Sequence, residues 1–172
     1  YNPQYRDENG RYKLNDWISL YDIGECFVNG ELTAEQYLKV ESNYCDAICD
    51  ILTSCGVKSL KLTDVEGCFT IEKIQTLIEP YGIYMSIEEW MRLEQIYEGQ
   101  EISTDEFSVY FKLVLRDCFW CNFVCIQSKI SVEFGYDLYL YINCDNISQH
   151  LIEKYEQDHL DAHQCQQTHQ NQ

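Results

Sequence analysis

The chain has 172 residues, enough for one domain that buries about 70 % of the surface its unfolded form exposes. Apolar residues make up 45 % and aromatics 14 %, with only two prolines, which excludes a disordered, collagen-like or linker-dominated chain. Twelve basic against 29 acidic side chains leave a net charge of −17, a field that repels nucleic-acid phosphates and anionic membrane surfaces and favours cationic partners.

Residues 1–13 are polar, without a hydrophobic signal region, and no stretch approaches the roughly 18 apolar residues that span a bilayer, so a cytoplasmic protein is expected. Trp17 to Ile23 reads as a short helix closed by Gly24, and Asn29-Gly30 makes a turn. Three segments then share one device: Leu32-Thr33 to Gln36-Tyr37, Met85-Ser86 to Glu89-Trp90, and Ile102-Ser103 to Glu106-Phe107. Each sets Ser or Thr three residues before Gln or Glu, inside a hydrophobic pair. That is a capping box with a staple, in which the hydroxyl takes one orphan N–H and the third side chain returns the bond. Phe69-Thr70 before Ile74 is a weaker start, because Lys73 cannot complete the box and Pro80 ends the helix early.

From Thr33 to Cys55 apolar residues recur at helical spacing, with Gly56 as the stop. The opposite face carries Glu35, Lys39, Ser42, Asn43, Asp46 and Asp50. Glu41 falls instead within the apolar stripe beside Tyr37, Tyr44 and Ile48, where a carboxylate needs a buried partner; a structural role is favoured over a catalytic one. After residue 118 the period changes. Cys121 to Ile126 is an apolar run, then Val132 and Phe134, and Leu138, Leu140 and Ile142, alternate with polar residues. These read as short antiparallel strands, whose polar face presents Glu133, Asp137, Tyr139 and Tyr141. His150 to Leu160 has amphipathic spacing and passes into Gln-rich sequence. The expectation is an α+β fold in a single globular domain over 1–160, with four to six helices packed on a small antiparallel β-sheet of two or three C-terminal strands. A disordered Gln/His-rich tail at 161–172 follows.

Glycine-centred calcium loops fail: with Gly99 as the sixth position the third is Ile96 and the twelfth Asp105, and with Gly67 the first is Leu62 and the twelfth Lys73. Ten cysteines are about 6 % of the chain, below the 8–10 % or so of a disulfide scaffold, and read as reduced, largely core residues. Cys118 and Cys121 lack a second ligand pair for zinc, and the His159, His163 and Cys165 set lies in the Gln-rich tail. No cofactor is expected. Phosphate-loop, nucleophile-elbow and zinc-hydrolase motifs are missing, and all four histidines follow residue 149. A metal-binding module and a carboxylate-dependent enzyme using Glu41 with Asp137 stand as alternatives to a binding protein.

Four motifs carry a resemblance: Trp17-Ile-Ser-Leu-Tyr-Asp22-Ile-Gly24; Asn29-Gly30-x-Leu-Thr-x-Glu-x-Tyr37-Leu-x-Val-Glu41-x-x-Tyr44; Leu115-Arg116-x-x-x-Trp120-Cys121; and Phe134-Gly135-Tyr136-Asp137-x-Tyr139-x-Tyr141-Ile142. Over residues 17–142, most weakly between 60 and 100, the chain resembles small acidic bacterial immunity proteins of contact-dependent or polymorphic toxin systems. The cysteine-rich strand region and the Gln/His tail depart from that pattern. The resemblance implies a non-enzymatic protein that neutralises a cognate toxin domain, commonly a basic nuclease, by occluding its substrate-binding surface. On that reading the contact is expected at Glu133, Asp137, Tyr139 and Tyr141, and secondarily at Glu35, Asp46 and Asp50.

Overall fold

A computed structural model describes residues 19–27, 30–67, 69–135, 140–144 and 147–157. Near its start Ser19 caps a single 3-10 turn, Leu20–Asp22, where a short helix is expected from sequence; Trp17 and Ile18 lie outside the described residues. A hairpin of β1 (Cys26–Phe27) and β2 (Gly30–Glu31) leads to α1, Ala34–Ser54. The capping box expected at Thr33 is formed, with Gln36 N–H donating to Thr33 Oγ1 at 3.2 Å and Thr33 N–H to Gln36 Oε1 at 2.9 Å. The helix ends where Gly56 takes φ of 68°, a conformation that a side chain would resist.

β3 (Ser59–Glu66) follows, then α2 (Ile71–Ile78), capped by Thr70 and ended by a 3-10 turn at Glu79–Tyr81 that holds Pro80. In α3 (Ile87–Leu93) Ser86 and Glu89 exchange both bonds of the box. The third box departs from expectation. Glu106 accepts from Ser103 N–H at 3.0 Å and from Ser103 Oγ at 2.9 Å, but residues 104–106 form a turn and α4 starts only at Phe107, running to Leu115. Ser103 instead ends β4 (Glu101–Ser103), because Ile102 pairs with Leu60 and draws this backbone into an extended ladder.

β5 (Trp120–Cys125), β6 (Ile130–Phe134) and β7 (Leu140–Asn143) complete an antiparallel sheet in the order β4-β3-β5-β6-β7. The fold class is α+β as expected, with five α-helices among the described residues once α5 (Gln149–Gln157) is counted. The expectation of two or three C-terminal strands is corrected to a five-stranded sheet plus the small hairpin. The strands missed are β4, where Ser103 reads as a helix cap, and β3, whose Leu60 and Leu62 turn inward while Lys61 and Thr63 do not. Its alternation is brief, and pairing on both sides by β4 and β5 makes it a central strand.

Inward residues form rows across the strands: Leu60 beside Ile102, and Leu62, Phe123, Val132 and Ile142 in line. On this face lies α4, with the Phe107 and Phe123 rings 4.8 Å apart and the Phe111 and Phe134 rings 5.3 Å apart, aromatic pairs that add about 0.5–1.5 kcal/mol each beyond burial. Both α1 and α3 pack on α4, and α5 on α1. Cys121 and Cys125 share the inner face of β5 with Phe123. No described helix is long and apolar enough to cross a membrane. The tail at 161–172 lies outside the described residues.

Candidate interaction surface

Helix α4 packs on one side of the sheet through Phe107 and Phe111, and the opposite side carries a mostly polar row that includes Lys61, Asn122, Ser131, Glu133 and Asn143. Tyr141 stands directly opposite Glu133, and Asn143 opposite Ser131, on β7 and β6. Ser131 Oγ donates to Glu133 Oε1 at 2.7 Å, and Asn143 Nδ2 donates to Ser131 Oγ at 3.2 Å and reaches Glu133 Oε1 at 3.5 Å. This short network orients the Glu133 carboxylate beside the Tyr141 side chain, which is 54 % exposed. Asp137 and Tyr139 lie outside the described residues. Towards β3, Lys61 is exposed next to Val124 in the same outward row, and Asn122 Nδ2 donates to Asp64 Oδ2 at 2.9 Å.

The polar stripe of α1 is a separate surface. Glu35 and Asp46 are exposed on it, eleven residues apart, which is close to three helical turns. Asp50, one turn further on, is engaged within the molecule: Lys154 Nζ donates to Oδ2 at 2.7 Å and the Tyr155 hydroxyl to the same oxygen at 2.6 Å, clasping α5 to α1. These bonds, Lys154 first, hold the Asp50 carboxyl below its usual range. Because α1 faces α4 and α4 faces the sheet, the α1 stripe and the outward sheet face lie on opposite sides of the hydrophobic layer. The structure therefore does not join Glu35 and Asp46 to Glu133 and Tyr141.

Glu41 sits in the core, 4 % exposed. Arg116, just past the end of α4, grips it with two parallel bonds, Nε to Oε2 at 2.7 Å and Nη2 to Oε1 at 2.6 Å, while Nη1 donates to Glu89 Oε1 at 2.9 Å. Burial by itself lowers the Arg116 pKa, but the hydrogen bonds and charge of Glu41, aided by Glu89, outweigh it and raise the value. Glu89 also accepts from Ser86 N–H at 2.6 Å, so the residue that closes the cap of α3 also ties α3 to α1 and α4. The arrangement compensates charge between three helices. Its geometry, a planar fork saturated by two carboxylates, suits structural tethering better than proton transfer. The apolar stripe of α1 points to Glu41 and the capping box at Ser86 to Glu89; nothing local to Arg116 identifies their shared partner.

Among the described residues, no cluster of three or more His, Cys, Asp or Glu is placed to hold a metal ion; His159, His163 and Cys165 lie outside them. Around Gly99, where the calcium-loop spacing is incomplete, the chain instead extends the sheet. Gly99 N–H donates to Leu62 O at 2.8 Å, Leu62 N–H to Gln100 O at 2.9 Å, and Val65 N–H to Glu98 Oε2 at 2.9 Å. Burial drives the Cys45 and Cys118 thiols up to about 12, which keeps them neutral and inert.

No protein-family model, curated protein or solved structure matches the chain.

Proposed function

We propose that this chain is an inhibitory binding protein of the immunity type, which neutralises a basic, nuclease-type toxin domain in the cytoplasm by covering its substrate-binding surface. The observation that carries the reading is the pre-oriented Glu133 carboxylate beside the exposed Tyr141, on the sheet face opposite the row that packs against α4. A fixed carboxylate loses little freedom on pairing with a toxin cation, and a Tyr ring is a common anchor of protein interfaces. The net charge of −17 accelerates encounter with a basic partner. Asp46 and Glu35 contribute to that long-range field, whereas Asp50 is already paired with Lys154.

The test is co-purification with a catalytically inactive form of any basic C-terminal domain of a large secreted protein that the gene immediately upstream encodes, followed by titration calorimetry. Glu133→Lys and Tyr141→Ala should each weaken the complex tenfold or so, the usual scale of an interface anchor, without moving the melting temperature. Failure to associate, or unchanged affinity of both variants, would count against the proposal and its site respectively.

A further inference from the structure

Helix α3 buries one side and leaves the other bare. Glu89 and Leu93 turn inward, one helical turn apart. On the opposite side Ile87 and Met91, also one turn apart, are 80 % and 57 % exposed, and Tyr84, which leads into the helix, is 71 % exposed. Of the eight large apolar side chains exposed among the described residues, four (Tyr84, Ile87, Met91 and Tyr97) fall within positions 84–97. Isolated apolar residues on a surface are ordinary, whereas a concentration on one helix and its flanks marks a contact surface.

Local structure does not call for these side chains. The cap of α3 is made by Ser86 and Glu89, and the half-buried Met85 and Trp90, the pair expected to staple it, pack against the core. The charge around the stripe is negative: Glu88 and Glu94 are exposed, Glu98 also, and the segment's one base, Arg92, is paired with Glu106 at 2.8 Å. A second copy of a chain carrying −17 is a poor occupant on electrostatic grounds.

We infer that the Tyr84, Ile87 and Met91 face of α3 docks a cationic amphipathic segment of another protein, an apolar stripe flanked by Lys or Arg. Apolar anchors one turn apart are the recurring means by which helices dock on each other, Met adapts its shape to the partner, and the acids at the margin select for basic flanks. The inference rests on the proposed role as a binder of a basic protein, and it places the apolar anchor on α3 in addition to the oriented carboxylate on the sheet.

The experiment is a 15N–1H NMR titration of the full chain with a synthetic Leu/Lys peptide of amphipathic helical spacing, beside a scrambled peptide of identical composition and a Leu/Glu counterpart. Saturable shifts at Tyr84, Ile87 and Met91 are expected with the first peptide alone. Ile87→Ser with Met91→Gln should weaken its binding about tenfold, as loss of an anchor does. Leu38→Gln, at another exposed apolar position on α1, should leave it unchanged, and an unaltered melting temperature shows that α3 is intact. Shifts mapping elsewhere, equal binding of the scrambled peptide, no binding, or concentration-dependent shifts at these residues without peptide, which would indicate a second copy, each overturn the inference. If the upstream-encoded domain co-purifies while α3 stays silent, the inference fails and the broader reading stands; if neither associates, both fall.

Discussion

Arg116→Ala strips the counter-charge that Glu41 and Glu89 share in the core. Removing one partner of a buried ion pair costs about 3–5 kcal/mol, because the remaining charge is left without compensation. A total stability of about 5–15 kcal/mol is ordinary, so this is a large fraction of it. At about 3 °C per kcal/mol for a chain of this size, a loss of about 4 kcal/mol lowers the melting temperature by about 12 °C. The geometry also ranks the other variants. Glu41→Gln comes second, since it neutralises the acceptor of both parallel bonds at 2 % side-chain exposure. Glu89→Gln should cost least, about 1 kcal/mol. It leaves one carboxylate against one guanidinium, its side chain is more exposed at 11 %, and Gln can still close the cap of Ser86. Urea and thermal unfolding at neutral pH read the series directly. An Arg116→Ala cost below about 1 kcal/mol, or Glu89→Gln as damaging as Arg116→Ala, would refute the reasoning from compensated buried charge.

The remaining outcomes follow from the same physics. Thr33→Ala removes a hydroxyl that accepts an orphan N–H of α1 and should cost about 1 kcal/mol in urea unfolding. Lys154→Met should loosen α5 on α1, with the Tyr155 bond to Asp50 remaining, seen as faster amide hydrogen exchange in residues 149–157 with little change in α4. The Asp50 side of this clasp depends on pH: its folded pKa is depressed, so its contribution is present above the unfolded value near 3.8 and is lost as pH falls through the folded one, which exchange measured over pH 2–5 tests. Cys45 and Cys118 have raised pKa values, so the folded state holds more protons than the unfolded one between about 9 and about 12, and stability should fall as pH rises through that window. At neutral pH both thiols should resist a thiol-reactive dye until the protein unfolds, while exposed Cys26 reacts at once.

Elements governed by local chemistry were legible in the chain. Thr33 and Gln36, Ser86 and Glu89, and Thr70 before Pro80 fix helix boundaries through bonds spanning three residues, and the structure forms them where the spacing put them. The apolar run also located β5, and alternation β6 and β7. What escaped was non-local. Ser103 and Glu106 form their side-chain bonds, yet pairing of Ile102 with Leu60 turns Ser103 into a strand end. β3 passed unrecognised because its ladder partners come from residues about 40 and 60 positions away. In the site, Glu41 was legible as an acid on an apolar stripe, but its partner arrives from 75 residues downstream. Asp50 read as a free surface acid until α5 brought Lys154 to it, and the bare face of α3 was hidden because Ile87 and Met91 look like ordinary core residues at helical spacing.

Calorimetric titration of the chain with an inactivated basic nuclease-type domain, taken from the gene immediately upstream where that gene encodes one, at low and at elevated salt, bears most directly on the claim that this acidic surface grips another protein. The account predicts a saturable one-to-one complex whose affinity declines as salt screens the −17 charge, and declines further in Glu133→Lys. Absence of heat and of any complex at low salt would contradict it.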